Sequence, residues 1–216
     1  MAEARDSKTP RERYRAQVRA EIMERAWEQI AAAGASALSL NAIAKRMGMS
    51  GPALYRYFAS RDELITQLIR DAYRSLADAV HAAAGSGPAL APLAHALRRW
   101  ALDDPHRYFL VYGTPVPGYH APDDITAIAS EIMAMILDAC AALPADGPPT
   151  PLDDHLADHR EWAAGHPASP AALHRALTFW TRLHGVLSLE VAGHFEGMGF
   201  DPAQLFAAEL DALLAH

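Results

Sequence analysis

Three side chains that bind phosphate or the edges of bases are adjacent in the sequence at Tyr55, Arg56 and Tyr57. Arginine and tyrosine donate hydrogen bonds to nucleic-acid phosphates and bases, and small residues allow a backbone to approach a groove closely. Gly51 and Ala53 supply such small residues just before them. This short segment therefore predicts a surface that binds the major groove of DNA.

A second group of side chains could bind a metal ion. His155 and His159 are four residues apart, with Asp158 between them, and His166 follows. On a helix, two imidazoles at this spacing share one face, which could begin a transition-metal site and hence a metal-dependent enzyme. Because no third ligand follows at helical spacing and the chain contains 11 histidines, a solvated loop without metal is the favoured interpretation.

Other catalytic signatures are absent from the sequence. It contains no Gly-x-Ser-x-Gly elbow, no phosphate-binding glycine-rich loop and no Cys-x-x-Cys pair, so hydrolase, nucleotide-binding and zinc-ribbon functions have little support. The single cysteine, Cys140, lies between two alanines and is predicted to pack as a small apolar residue. We therefore expect no catalytic residues, no resident metal and no cofactor.

The element before the phosphate-binding segment reads as a short helix. Leu40, Ile43, Ala44 and Met47 recur at the i, i+3, i+4, i+7 interval of one helix face. Ser39 stands where a side chain caps the first turn of a helix. This pattern predicts a helix with one buried stripe.

A tight turn and a second helix follow. Gly48 tolerates the positive φ that often ends a helix, and Ser50 with Pro52 is typical of the start of the next one. Leu54 and Phe58 share the inner face of that helix. The two helices therefore form a predicted helix-turn-helix that presents the arginine and the tyrosines outward.

In these residues the chain resembles the tetracycline-repressor (TetR) family of transcriptional regulators. The resemblance covers about the first third of the chain. The matching positions are Ile22, Ala26, Ile30, Gly34, Ser39, Ile43, Ala44, Gly48, Ser50, Leu54, Tyr55, Tyr57, Phe58, Arg61 and Leu64. Two of them depart from the family pattern, since Tyr57 stands where the family usually has histidine and Arg61 where it usually has lysine. Both replacements keep a phosphate donor.

The resemblance assigns roles to individual positions. It implies that phosphates are contacted by Ser39, Ser50, Tyr55, Tyr57 and Arg61. It further implies that the residues nearest the bases are Gly51, Pro52, Ala53 and Arg56. The partner is then double-stranded DNA with an inverted-repeat operator.

Charge is distributed unevenly along the sequence. The net charge is −7, which alone argues against a nucleic-acid partner. Residues 1–75, however, carry 13 of the 19 lysines and arginines and only 9 of the 26 acidic residues. A basic N-terminal part and an acidic remainder are consistent with DNA binding at the N-terminal end.

The expected domain order starts at a basic N-terminal segment. We predict a flexible basic arm over residues 1–15, a helix-turn-helix domain over 16–60, and a ligand-binding and dimerisation domain over 61–216. No stretch approaches the ~20 apolar residues of a membrane-spanning helix, and the N-terminus lacks the apolar core of a signal peptide. We therefore expect a cytoplasmic protein without a membrane partner.

The rest of the sequence predicts further helices and no strand, which makes the fold class all-α. A long connector helix is expected from Arg61 to about Ala84, and later helices over about 89–102, from 105, over 123–143, 170–194 and 202–214. The stretch 144–170 is rich in proline, glycine, aspartate and histidine, and predicts a long loop with a short helix near 152–162.

The wide apolar surface near the C-terminus predicts a partner helix. In the family, that partner is the same pair of helices from a second subunit, so a homodimer is expected. The predicted interface residues are Leu173, Leu177, Trp180, Leu187 and Val191.

The resemblance also implies a small-molecule effector inside the second domain. The predicted ligand residues are Trp100, Tyr108, Phe109, Tyr112, Met133, Met135 and His184, which suit an apolar or aromatic ligand. His184 precedes Gly185 and resembles the Trp-His-Gly signature of one C-terminal subtype, although Trp180 is separated from it by three residues. The expected function is a homodimeric repressor that such a ligand releases from its operator.

Overall fold

The computed structural model describes residues 9–85, 87–114, 118–144 and 147–215. Across these ranges the regular structure is helical without a strand, which confirms the all-α prediction. The helices are α1 (Pro10–Ala33), α2 (Leu40–Arg46), α3 (Gly51–Leu54), α4 (Arg61–Ala84), α5 (Leu90–Asp103), α6 (Pro105–Tyr112), α7 (Asp123–Ala141), α8 (Pro151–Asp158), α9 (Pro170–Val191) and α10 (Pro202–Leu214). No helix within them is long and apolar enough to cross a membrane.

The chain divides into two compact units. Unit 1 consists of Met1–Asp71 and Phe109–Ala121, and unit 2 of Ala72–Tyr108 and Pro122–His216. The division falls inside α4 and α6, whereas the sequence placed the border at residue 61. The first turns of α4 contribute fully buried apolar side chains such as Leu64, Ile65 and Leu68, so this end of the helix serves as core rather than as a free connector.

Unit 1 is built around the buried stripe of α1. Ile22 and Ala26 of this helix are fully buried, as is Ile43 of α2. Leu54 and Phe58 are also completely buried, as their shared inner face predicts. Met47, placed on the stripe of α2 by its spacing, is only half-buried and lies just after the last residue of the helix.

The N-terminal segment is more ordered than the sequence interpretation allowed. Thr9 caps α1: its hydroxyl accepts from the Glu12 backbone N–H at 3.3 Å, and the Glu12 carboxylate accepts from the Thr9 N–H at 2.7 Å. With Pro10 in the first turn, this is a complete capping box. The predicted flexible arm is therefore wrong for residues 10–15, and residues 1–8 lie outside the described ranges.

Unit 2 is organised around α9. This helix packs against α5, α7, α8 and α10. The Arg98 guanidinium of α5 donates to the Glu190 carboxylate of α9, with Nε to Oε2 at 3.0 Å, and also lies over the Phe206 ring of α10 at 5.5 Å. One largely buried charge pair thus joins three helices of this unit.

The long loop predicted before α9 contains a well-capped helix. The Thr150 hydroxyl accepts from the Asp153 N–H at 3.2 Å, and the Asp153 carboxylate accepts from the Thr150 N–H at 2.6 Å. Leu156 is buried, and α8 packs on α9. The segment is therefore an integral part of unit 2 over its described residues.

Candidate nucleic-acid interface and effector site

The turn between α2 and α3 has the local geometry that its residues favour. The Ser39 hydroxyl accepts from the Ala42 N–H at 3.3 Å and so caps α2. Gly48 has a φ of 64°, a conformation that costs little only without a side chain. At Gly51 an added Cβ would lie 3.5 Å from the Asn41 Oδ1, so α3 begins close to α2.

The side chains predicted to meet DNA differ in exposure. Pro52 and Arg56 are exposed, and Tyr55 is 45% exposed. Ala53 and Tyr57 are half-buried. The outermost surface of this turn is therefore formed by Pro52, Tyr55 and Arg56, which combine apolar, phenolic and cationic groups.

The two predicted serine contacts play different local roles. Ser39 is half-buried. Its backbone N–H donates to Oε1 of Gln29 in α1 at 2.9 Å. Ser50 precedes α3, but its side chain makes no capping hydrogen bond, unlike the sequence prediction. Because Ser50 is exposed, its hydroxyl is accessible to a partner.

Two arginines of α1, which the sequence analysis did not single out, brace the end of α3. Arg15 Nη2 donates to the Arg56 carbonyl at 3.1 Å, and Arg19 Nη1 donates to the Tyr57 carbonyl. The Arg19 guanidinium also lies 4.1 Å from the Phe58 ring centroid. These contacts join residues about forty positions apart, which explains why no local sequence pattern indicates them.

Arg61 has bonding partners within unit 1. Its Nε donates to the Leu38 carbonyl at 3.1 Å, and its Nη2 donates to the Ala35 carbonyl at 2.8 Å. The guanidinium thereby holds the turn that leads into α2. The phosphate contact implied by the family resemblance would have to use the remaining face of this group, so that contact stays a prediction.

The histidines considered for a metal do not form a site. His155 and His159 stack with ring centroids 4.1 Å apart, and His159 Nδ1 donates to the His155 carbonyl at 2.9 Å. His166 instead lies with Nε2 3.1 Å from the Asp138 carboxylate. Among the residues that the structure describes, no group of three or more His, Cys, Asp or Glu side chains is placed to hold a metal ion.

An aromatic cluster forms around His184 in unit 2, in which Tyr108 is buried and Trp180 and His184 are half-buried. The Tyr108 hydroxyl and His184 Nδ1 form a hydrogen bond of 3.0 Å, and the centroid of a Trp180 ring lies 4.1 Å from that of His184. Burial lowers the pKa of His184 to about 4 and raises the pKa of Tyr108 to about 12, the latter opposed by a hydrogen bond with Ser188. Both groups are therefore neutral at pH 7.

The remaining predicted ligand residues belong to several elements. Trp100 Nε1 donates to the Ser75 hydroxyl at 2.9 Å, which gives it a structural role between α5 and α4. Phe109 and Tyr112 belong to unit 1, whereas Met133 and Met135 lie on α7 in unit 2.

Two of the cavities among the described residues lie in unit 2. One of about 360 Å³ is lined by Met135 together with the residues between α4 and α5. Another of about 510 Å³ is lined by residues of the α8, α9 and α10 region, and none of the predicted ligand residues borders it. The larger cavity therefore escaped the sequence analysis.

Two of the residues predicted for the dimer interface cannot contact a second subunit. Leu173 and Leu187 are completely buried within the single chain, so placing them in a subunit interface is wrong. Leu177, Trp180 and Val191 are only half-buried. The error arose because α9 packs against four other helices, so most of its apolar surface is already covered.

Two segments of the chain match known protein families. Residues 22–68 match the bacterial regulatory proteins of the tetR family, and residues 90–213 match the tetracyclin repressor-like C-terminal domain. Together these segments contain the helix-turn-helix and nearly all of the helices from α5 to α10.

Relatives match along almost the whole chain. Over 217 residues it is 38% identical to the HTH-type transcriptional regulators Rv1816 of Mycobacterium tuberculosis and Mb1846 of Mycobacterium bovis, covering 93% of this chain and 92% of each relative. The crystal structure of the protein SCO4313 is 72% identical with a TM-score of 0.89, covering 96% of this chain and 100% of that one. PfmR, a regulator from Thermus thermophilus, is 18% identical with a TM-score of 0.56, covering 90% and 97%, and shares the fold.

Proposed function

Because the chain belongs to the TetR family of transcriptional regulators, we propose that it is a homodimeric repressor that an effector releases from an inverted-repeat operator. The observation that carries this proposal is the exposed set Pro52, Tyr55 and Arg56 on a braced helix-turn-helix. Small and phenolic groups beside an exposed guanidinium suit a major groove bordered by phosphates. Ser50, Gly51, Ala53 and Tyr57 complete the proposed DNA-binding surface, with Ser39 and Arg61 at its edge.

The homodimer is proposed through one face of α9. Thr181, Gly185 and Leu189 are exposed on this helix at intervals of four residues, and Leu189 is 45% exposed. Gly185 lies mid-helix, where glycine costs about 0.5–1 kcal/mol relative to alanine, and a Cβ there would meet nothing within 4 Å. Close approach of a partner helix accounts for a glycine at this position. Two-fold symmetry would then place the recognition helices, which are the α3 helices of the two subunits, in successive major grooves.

The effector is proposed to bind near Tyr108 and His184. Both side chains are neutral at pH 7, as their shifted pKa values require, and the Trp180 ring lies beside that of His184. Such a setting favours an uncharged, apolar or aromatic molecule with one or two polar groups. Binding that moves α4 would change the separation of the recognition helices, so effector and DNA would oppose each other by linkage.

Selection of bound duplexes from a random DNA pool tests the proposal. The expected result is an inverted repeat whose half-sites are centred about 34–36 Å apart, one helical turn. Operator affinity is then measured with and without members of an uncharged aromatic library, for the wild type and for Tyr108→Phe. A pool without enrichment would contradict DNA recognition, whereas bound compounds that leave operator affinity unchanged would contradict effector release alone.

A further inference from the structure

The larger cavity of unit 2 has the properties of a small-molecule site. Its volume of about 510 Å³ falls within the range of roughly 300–1,000 Å³ that ligand pockets occupy. Apolar groups supply much of its wall, among them Pro149, Pro170, Ala171 and Leu213. It shares no residue with the Tyr108 and His184 cluster, so a molecule bound here would occupy a separate site.

An oriented imidazole borders this cavity. Asp153 is only 6% exposed, and its Oδ2 accepts from the Thr150 N–H at 2.6 Å while its Oδ1 lies 2.9 Å from His174 Nδ1. Hydrogen bonds from the backbone and side chain of Thr150 hold the pKa of Asp153 below its ordinary value, against the effect of burial. The ionised carboxylate therefore accepts a hydrogen bond from Nδ1, and Nε2 of His174 is the nitrogen left for a ligand.

A second polar group lies one turn further along α9. Thr178 follows His174 by four residues, so the two side chains share one face of the helix, and both line the cavity. Thr178 is half-buried. The polar groups of His174 and Thr178 are thus close together, and the rest of the cavity wall is mainly apolar.

The two arginines that line the cavity already have partners. Arg175 donates to the Cys140 carbonyl at 3.0 Å and to the Pro144 carbonyl at 2.7 Å, at the C-terminal end of α7. Arg182 pairs with the Glu209 carboxylate at 2.6 Å. A ligand carboxylate would have to displace these partners to reach either arginine. Asp154 is exposed, so water screens its charge and it would attract a ligand ammonium only weakly.

We propose that this cavity binds an uncharged, largely apolar small molecule whose hydroxyl group lies between His174 Nε2 and the Thr178 hydroxyl. A hydroxyl both donates and accepts hydrogen bonds, so it suits the imidazole nitrogen in either protonation state. The apolar body of the molecule then contacts the proline, alanine and leucine wall. No residue of the proposed DNA-binding surface lines this cavity, whose residues all belong to α8, α9, α10 and the segments before α8 and α9.

Calorimetric titration with three compounds that share one apolar body tests this site. The probes are phenylbutanol, phenylbutanoate and phenylbutylamine, each titrated into the full chain without DNA. The variants are Thr178→Val, which removes the hydroxyl at nearly constant shape, and His174→Gln, which keeps a donor for Asp153. Thr126→Val is the matched control, because Thr126 lies on α7, is exposed and does not line the cavity.

We expect saturable binding of phenylbutanol to the wild type, and weaker binding of both charged analogues. Thr178→Val and His174→Gln should each weaken phenylbutanol binding by about tenfold, the factor for one lost hydrogen bond, while Thr126→Val leaves it unchanged. The proposal is overturned by the absence of saturable phenylbutanol binding, by a charged analogue that binds as tightly, or by equal effects of the two threonine variants. Since no DNA is present, failure here leaves the proposed regulator function standing.

Discussion

The side chains around α3 fall into two classes with different consequences. Tyr55 and Arg56 are exposed, so their substitution should act on DNA contacts directly. Arg15 and Arg19 donate to the carbonyls of Arg56 and Tyr57, so they hold the recognition segment in place. We expect substitution of such a positioning residue to change operator affinity, although the residue touches no base.

Replacement of Arg19 by methionine tests this bracing role. The variant loses a charge-assisted hydrogen bond and the contact with the Phe58 ring, worth about 1.5–3 kcal/mol for the bond to a charged group. We expect lower thermal stability and an operator affinity reduced by about tenfold under conditions where the variant is fully folded. Arg25→Met is the matched control, since Arg25 pairs with the neighbouring Glu28 of the same helix. Equal operator affinities for the folded Arg19 and Arg25 variants would contradict the bracing role.

His184 should make stability depend on pH. Burial lowers its pKa to about 4 from an ordinary value of 6.5, so the unfolded chain binds a proton that the folded chain excludes. The stabilising contribution is fully present above pH 6.5 and is lost as the pH falls toward 4. By pH 5 the loss should reach about 2 kcal/mol.

Urea unfolding of the wild type and of His184→Gln, each at pH 7.5 and pH 5, measures this contribution. The difference between the two pH values should be smaller in the variant by about that amount, because the other histidines are common to both proteins. The same pH dependence in both proteins would show that His184 is not the buried neutral group described above.

Among the helices, α9 has a covered face and an exposed face that can be tested separately. Leu187 is completely buried, whereas Leu189 two residues later is 45% exposed. A side chain at Gly185 would meet open space in the single chain. Substitutions on the two faces should therefore separate folding from assembly.

We expect Gly185→Leu to give a folded monomer, because a partner helix can no longer approach closely. Leu187→Asp should instead unfold the chain, since it buries an unpaired charge in the core. Sedimentation measures the assembly state and circular dichroism the helix content. A Gly185→Leu protein that sediments as the wild type does would exclude this face from the dimer contact.

Helix positions follow from the sequence far better than the contacts between helices. Capping residues and prolines mark where elements begin, and α10 runs over the residues predicted for it. The flexible arm predicted for residues 10–15 was wrong because it was inferred from the charged composition of this segment. The capping box of Thr9 and Glu12, which is visible in the sequence, was overlooked. In contrast, the partners of Arg19 and Arg61 and the cavity beside His174 arise from packing between distant segments, so no local pattern could predict them.

For the molecule as a whole, the two parts of the chain carry opposite net charges. Residues 1–75 carry a net charge of +4, and the remainder carries −11. The acidic remainder disfavours non-specific contact with a duplex, so affinity must come from the basic N-terminal part.

Binding to the selected operator should therefore weaken steeply with salt. Between about 50 and 200 mM salt we expect a loss of at least about a hundredfold, since the proposed dimer would release several counterions from phosphates. Phenylbutanol binding, which involves no net charge, should change little over the same range. An operator affinity insensitive to salt would contradict phosphate contacts by this surface.

The most direct test of the central claim is an anisotropy titration of the selected operator with the double variant Tyr55→Phe, Arg56→Gln. Arg99→Gln serves as the control, because it removes one positive charge at an exposed position of α5 outside the proposed interface. We predict that the double variant loses at least about tenfold in operator affinity and discriminates less between operator and altered half-sites, while Arg99→Gln binds as the wild type does. Wild-type affinity and wild-type discrimination in the double variant would contradict the claim that this turn recognises DNA.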